Sequence, residues 1–176
     1  MRLIALTRME GLDHAFELLD DDKYWIAWHG RAATGGLCMG EWQRYVDDNL
    51  IGSGKVNRAA IVGLDGGILA ASEGYKLSAA EQSQLSKECR AVFSGGEDQV
   101  GGLVLAGNKF LTSGGDERSL FLKATHSINY DPRHAGAIVV QTKQCIIVAE
   151  YDAPLQMAES IPVVESLADE LINAGY

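Results

Sequence analysis

The sequence has little cysteine, little proline and fewer basic than acidic residues. Its three cysteines, Cys38, Cys89 and Cys145, are widely spaced and form no CxxC pair, which argues against a disulfide framework or a zinc site and favours a reducing cytosol. With 15 Lys and Arg against 24 Asp and Glu, the formal net charge of -9 argues against nonspecific binding of nucleic acid, which relies on a basic surface. No apolar run approaches the roughly 20 residues that cross a bilayer, so no membrane span is expected.

Catalytic and metal-binding motifs are also missing. The run GSGK at 52–55 is similar to part of a P-loop, but Asn49 and Val56 stand where that motif needs Gly and Ser or Thr. Two histidines and an aspartate lie between 126 and 134, without the helical spacing or the cysteine partner of a metal site. There is no GxSxG and no HExxH. The sequence therefore predicts a protein that is not an enzyme and that needs no metal and no cofactor.

The chain does contain a regular alternation of apolar segments and turns, and its 176 residues are enough for one well-buried core. The pattern predicts helices at 41–51, at 78–93 and from about 160 onward, and strands at 59–63, 68–72, 103–105, 109–113, 119–123, 137–141 and 145–149. It also predicts a hairpin turn at 64–67, a capping box of Ser78 and Glu81, and Pro162 in the first turn of the last helix. This order predicts an α+β fold with the terminal helices packed on an antiparallel sheet.

Residues 1–38 differ in character from the rest and are predicted to be an N-terminal extension of a domain at 39–176. Apolar residues with helical spacing at 12–19 are followed by an acidic run at 20–22 and a linker-like stretch at 32–36. Two interpretations stay open: an appendage with a small amphipathic helix that is otherwise disordered, or sequence included by an early start codon. The second is favoured, because residues 39–42 (MGEW) look like a native N-terminus.

Five stretches between 39 and 176 follow one another in an order that resembles the profilins. They are WQRYVDD at 42–48, AAIVGLDG at 59–66, LAGNKF at 105–110, IVAEYD at 147–152 and VVESLADELINAGY at 163–176. The resemblance implies an antiparallel sheet with the N- and C-terminal helices packed on one face and smaller helices on the other. It also implies a small protein of the cytoplasm and cytoskeleton that regulates actin polymerisation. Its partners would be monomeric actin, proline-rich proteins such as formin-type nucleators, and phosphoinositide headgroups.

A groove for proline-rich ligands is the first consequence of this resemblance. The matching positions are Trp42, Tyr45, Leu69, Leu171 and Tyr176. Trp42 and Tyr45 are three residues apart, so they share a face of the first helix. Leu69 stands where many profilins have a tryptophan, and Glu170 where His or Tyr is usual, which predicts a less aromatic and more acidic groove. The alternative is that Trp42 and Tyr45 only pack the first helix onto the sheet.

An actin-binding face is the second consequence. The matching positions are Val100, Lys109, Lys123, Pro162 and Ser166. Some profilins carry Lys and Glu at the last two positions, so the missing charges predict weaker or rearranged actin binding. They also keep open an alternative function, a scaffold of the same fold that binds proline-rich partners with weak or lost actin binding. The segment 124–134 is longer than in plant-type profilins, and it either adds contacts beside this face or is a tolerated insertion.

Phosphoinositide binding is the third consequence. A local basic patch for the headgroups would be formed by Lys109, Arg118, Lys123, Arg133 and Lys143. The alternative for these side chains is ordinary solvation at the surface of an acidic protein.

Overall fold

The computed structural model describes residues 39–93, 101–126 and 131–176, and these residues form one antiparallel sheet of seven strands. The strands are β1 (Arg58–Gly63), β2 (Ile68–Ala71), β3 (Leu103–Leu105), β4 (Asn108–Gly115), β5 (Ser119–His126), β6 (Gly136–Gln141) and β7 (Cys145–Tyr151). Their order across the sheet is β2-β1-β7-β6-β5-β4-β3. The pairing of β1 with β7, the second and third strands from the β2 edge, therefore brings the two ends of the domain together.

Helices cover both faces of this sheet. In the described part, α1 (Met39–Arg44) precedes β1, α2 (Ala79–Phe93) follows β2, and α3 (Met157–Asn173) follows β7. Because β1 and β7 are neighbours, the terminal helices share one face, where Leu167 of α3 belongs to the same apolar cluster as Val46 and Ile147. On the other face, Leu85 of α2 belongs to a cluster with Val148 of β7. The α+β prediction, with the terminal helices on one face, is confirmed.

The first helix differs from the single helix predicted at 41–51. α1 begins at Met39, passes into a π-helical turn at Tyr45–Leu50 and ends in a 3-10 turn at Ile51–Ser53. Gly54 closes it with a φ of +67°, a left-handed conformation that favours glycine, and donates its N–H to the Ile51 carbonyl at 3.0 Å. Gly54 therefore ends the helix near the predicted boundary, whereas nothing in the sequence pattern indicates the wider π-helical turn before it.

The last helix begins earlier than predicted. α3 starts at Met157, so Pro162 is not in its first turn. Gln156 is extended, and its carbonyl accepts the N–H groups of Glu159 and Ser160 at 3.0 and 3.2 Å, which starts the helix without a side-chain cap. Pro162 lies inside α3 and has no backbone N–H, so the helix lacks one backbone hydrogen bond there. The helix continues because its apolar face is buried against the sheet.

Two local predictions are present in detail. In the hairpin turn, the Gly63 N–H donates to the Gly67 carbonyl at 2.7 Å, and Gly66 has a φ of +97°. In the capping box, the Ser78 N–H donates to the Glu81 carboxylate at 2.6 Å, and the Glu81 N–H donates to the Ser78 hydroxyl at 3.3 Å. By contrast, β4 and β5 run further than their apolar residues predicted, because antiparallel backbone pairing continues past those residues.

Some predictions fall on residues outside the described ones. These are the extension at 1–38, Val100, and residues 127–130 of the longer segment. The described parts of that segment are the end of β5 and a 3-10 turn at Pro132–His134. No helix in the described part of the chain is long and apolar enough to cross a membrane.

Candidate functional site

Three aromatic rings meet on the sheet face that carries α1 and α3. Trp42 of α1 and Tyr45 have ring centroids 6.3 Å apart, with 57° between the ring planes. Trp42 and Tyr176 pack edge to face, with centroids 5.2 Å apart and planes at 75°, an arrangement that the ring quadrupoles favour. We refer to Trp42, Tyr45 and Tyr176 as the aromatic cluster.

Hydrogen bonds fix the position of Tyr176. Its N–H donates to the Leu171 carbonyl at 2.8 Å, and its carbonyl accepts the N–H of Lys143 at 3.2 Å in the turn between β6 and β7. From the same turn, Gln144 Nε2 donates to the Gly175 carbonyl at 2.9 Å. Gly175 has a φ of +100°, which lets the chain turn back after α3. The third ring of the cluster is therefore anchored by the backbone and does not depend on ring contacts alone.

The five residues predicted to line the groove lie together but at different depths. Trp42 is only 6% exposed and Leu171 is fully buried, so both belong to the buried base of the cluster. Leu69, Tyr45 and Tyr176 are half-buried and reach the surface. Trp42 thus packs α1 onto the sheet, as the alternative interpretation has it, while the two tyrosines retain accessible surface. A ligand would contact the tyrosines first.

An acidic cleft of about 260 Å³ opens beside Tyr45. Its lining residues are Glu41, Arg44, Tyr45, Asp48, Asn49 and Glu170. Burial raises the pKa of the Tyr45 hydroxyl, and the charges of Glu170 and then of Glu41 raise it further, because they disfavour a second negative charge nearby. Sequence reasoning noted the acidic residue at Glu170 but missed the cleft, since Glu170 meets the first helix only in the folded chain.

On the sheet face that carries α1 and α3, the described helices leave β4 and the Lys123 end of β5 uncovered, whereas Ser119 at the start of β5 contacts Glu165 of α3. Leu111 of β4 pairs with Lys123 of β5, Lys123 with Gly136 of β6, and Gly136 with Tyr151 of β7. Directly paired residues point to the same side, and Tyr151 belongs to the apolar cluster under α1 and α3. Leu111 is 43% exposed, and Lys109 and Lys123 are also exposed. We call Lys109, Leu111 and Lys123 the open sheet face.

A cavity of about 620 Å³ joins the open sheet face to the start of α3. Lys123, Arg133, Tyr151 and Met157 are among its lining residues. The Arg133 guanidinium donates from Nε to Asp131 Oδ1 at 3.0 Å and from Nη2 to Asp131 Oδ2 at 2.6 Å, and this pairing lowers the pKa of Asp131 to about 2. The cavity therefore combines the exposed Lys123, an arginine already paired with Asp131, and the apolar surface of Met157.

Comparison with known proteins identifies the family. The family model described as Profilin matches residues 40–176. The chain belongs to the profilin family. Profilin-2 of Acanthamoeba castellanii is 37% identical to it over 138 residues, which are 77% of this chain and 98% of that protein. The match thus spans nearly the whole of that profilin.

Solved profilin structures share the fold. Profilin IB of A. castellanii has a TM-score of 0.65 at 37% identity, covering 77% of this chain and 99% of that one. LokiProfilin1, solved in a complex with rabbit actin, has a TM-score of 0.62 at 14% identity, covering 76% and 96%. Mouse profilin IIa, solved in complex with a double repeat from the FH1 domain of mDia1, has a TM-score of 0.59 at 20% identity, covering 77% and 99%. The last two likenesses concern the fold alone.

The actin positions implied by the profilin resemblance divide between two places. Lys109 and Lys123 belong to the open sheet face. Pro162 and Ser166 are exposed on α3, about one turn apart, and neither lines the 620 Å³ cavity. The structure therefore brings the two lysines together but does not join them to the two α3 positions through a common cavity.

The basic residues predicted for phosphoinositides are also divided. Lys123 lies toward one end of β5, and Arg118 precedes the other end, roughly 16 Å away at about 3.3 Å per residue. Arg118 forms ion pairs with Glu165 and Asp169 at 2.6 and 2.8 Å, which neutralise much of its charge. Lys143 lies in the turn that follows β6, at the Arg118 end of the sheet. The five residues thus do not form one patch.

Proposed function

We propose that this chain is a non-enzymatic regulator of actin polymerisation in the cytoplasm and cytoskeleton. It binds monomeric actin at the open sheet face and proline-rich proteins, such as formin-type nucleators, at the aromatic cluster. Its membership of the profilin family supports the proposal, as does the rabbit actin complex of LokiProfilin1, a protein of the same fold. The two surfaces are separate, so one molecule can hold both ligands and raise the effective concentration of actin near a proline-rich partner.

The actin proposal rests on one observation, the exposed apolar side chain of Leu111. It lies beside Lys109 and Lys123 on the open sheet face. Leu111 is one of the few large apolar side chains that reach the surface of the described residues, and its strand partner is Lys123. An apolar centre with a charged rim is the usual composition of a protein–protein interface. The adjoining 620 Å³ cavity extends this surface toward Met157 at the start of α3.

Proline-rich binding is supported by the chemistry of the aromatic cluster. A proline-rich segment is already extended before it binds, so it loses little entropy, and aromatic grooves recognise it by ring contact. Tyr45 and Tyr176 have half-buried rings beside the buried Trp42. Because proline has no N–H, the carbonyls of a proline-rich ligand lack internal partners, and tyrosine hydroxyls can donate to them. Mouse profilin IIa was solved in complex with FH1 repeats. We propose that this chain binds ligands of the same class.

For phosphoinositide headgroups we propose only the basic residues at one end of the sheet. Lys123 and Arg133 line one cavity, and Lys109 lies on the same open sheet face. Since this surface is also the proposed actin surface, headgroups and actin should compete. Vesicles with and without phosphoinositide, added to a preformed actin complex, test this directly: release of actin only by the phosphoinositide vesicles supports the shared surface.

The actin proposal is tested by charge reversal at Lys123. In a fluorescence titration of labelled monomeric actin, Lys123→Glu should weaken binding about tenfold, or about 1.4 kcal/mol. Lys87→Glu is the matched control, because Lys87 is exposed on α2 at the opposite face of the sheet. Equal affinities for the two variants would reject the open sheet face. No complex with the unchanged protein at tens of micromolar would favour the scaffold alternative, in which the missing charges at Pro162 and Ser166 reflect lost actin binding.

The proline-rich proposal is tested with a peptide of ten prolines. Tyr45→Ala and Tyr176→Ala each remove one accessible ring and should weaken peptide binding roughly two- to tenfold, as expected for aromatic contacts of about 0.5–1.5 kcal/mol. The Lys87→Glu variant again serves as control and should bind the peptide normally. Unchanged binding in both tyrosine variants would show that the peptide binds elsewhere.

A further inference from the structure

The acidic cleft shares Tyr45 with the aromatic cluster, so it directly continues the surface proposed for proline-rich ligands. Three carboxylates line it, from Glu41, Asp48 and Glu170, against the single guanidinium of Arg44. A ligand that lies across Tyr45 therefore passes from an aromatic surface to a negatively charged one.

Glu170 is the carboxylate that α3 contributes to this cleft. Asn49 Nδ2 donates to its Oε2 at 3.2 Å, which orients the carboxylate but, being a neutral amide, leaves its charge in place. The negative charge of Glu170 acts on the neighbouring Tyr45, where it is one of the causes, after burial, of the raised pKa. Glu170 lies on α3, and Asn49 lies in the π-helical turn after α1. The cleft therefore spans both helices that hold the aromatic cluster.

Arg44 offsets only part of the negative charge. It pairs with Asp48 one turn further on, at 3.8 Å, and both side chains are largely exposed to solvent. Such an exposed pair is weak and readily exchanged for another partner. The carboxylate of Glu170 consequently keeps its negative charge with no cationic partner among the described residues.

We propose that the acidic cleft is a specificity subsite that selects proline-rich ligands carrying lysine or arginine next to the proline tract. This rests on the proposed binding of proline-rich ligands to the aromatic cluster. The stem of a basic side chain can cover the Tyr45 ring, where its cation is attracted by the ring face, while its charged end reaches Glu170. Arginine is favoured over lysine because its planar fork matches a carboxylate. A ligand with an acidic residue at the same place meets like charge and binds more weakly.

The test compares peptides of ten prolines that differ at one flanking residue, which is Arg, Gln or Glu, placed at either end because the direction of binding is open. Binding is measured by the change in intrinsic fluorescence at low and at high salt. For one of the two ends, the Arg peptide should bind about two- to fivefold more tightly than the Gln peptide, and the Glu peptide more weakly. The difference should shrink at high salt, because both groups are near the solvent.

Glu170→Gln should remove most of this preference for arginine, measured as the ratio of the affinities of the Arg and Gln peptides for each variant. Glu88→Gln on α2, at the other face of the sheet, is the matched control and should retain the preference. If the Gln peptide binds but arginine confers no advantage at either end, or if Glu170→Gln leaves the advantage intact, the subsite is overturned and the aromatic groove stands. If none of the peptides binds, the proposed proline-rich function and the subsite are both overturned.

Discussion

Trp42 and Tyr176 pack edge to face with ring centroids 5.2 Å apart, which joins the first described helix to the last residue of the chain. Pairs of this kind contribute about 0.5–1.5 kcal/mol beyond the area that they bury. The contact couples the position of α1 to the end of α3, which the turn after β6 also holds. Changes at the aromatic cluster should therefore act on stability as well as on ligand binding.

Trp42→Ala should destabilise the fold by about 3–5 kcal/mol, because the ring is 6% exposed and its removal leaves a large cavity. Trp42→Phe keeps an aromatic ring and should cost clearly less. Urea unfolding followed by circular dichroism measures both. A loss below about 1 kcal/mol in the alanine variant would contradict the buried position of the ring. The result also decides whether weaker peptide binding by this variant reflects the ligand contact or the fold.

Glu165→Ala should cost about 1–3 kcal/mol, because its carboxylate accepts hydrogen bonds from two residues at once. It accepts a short hydrogen bond from the hydroxyl of the fully buried Ser119, and it accepts Arg118 Nε and Nη2 at 3.1 and 2.6 Å. Asp169→Ala is the matched control: Asp169 pairs with the same arginine at 2.8 Å but its side chain is 60% exposed, so its loss should stay within about 1 kcal/mol. Equal losses in chemical denaturation would mean that the buried hydroxyl does not depend on Glu165.

Local signals in the sequence are sufficient for much of this fold. Alternating and continuous apolar runs predict the strands, and the capping box of Ser78 and Glu81 begins α2 as expected. The sequence left burial of Trp42 and its exposure in a groove as alternatives, and the contact of Ser119 with Glu165 could not be predicted in this way. Both depend on the strand order, which places α3 beside α1 and over the start of β5, and no spacing along the chain contains that information. The acidic cleft is missed for the same reason.

Gly136→Ala should destabilise the protein by at least about 1–3 kcal/mol. A Cβ at this position would collide with the Tyr151 hydroxyl and with the Leu122 carbonyl, and backbone cannot move as a flexible side chain can. Gly40→Ala is the control, since a Cβ there meets nothing within 4 Å, and the helix should gain about 0.5–1 kcal/mol. Thermal unfolding of both variants compares them. If Gly136→Ala were as stable as the unchanged protein, β5, β6 and β7 could not be as closely paired as described.

Glu170→Gln should lower the pKa of Tyr45, because removing a nearby negative charge makes the phenolate less unfavourable. The value should stay above the ordinary 10 or so, since burial is the first cause of the rise and remains. A raised pKa in the folded state contributes stability that is complete below pH 10 and is lost as pH rises further, so the variant should lose less stability at alkaline pH. Titration of the tyrosine Cζ signals by nuclear magnetic resonance measures the shift. Tyr151 is the internal control, because burial alone raises its pKa and the substitution should leave it unchanged. An unchanged Tyr45 in the variant would place Glu170 away from the cleft.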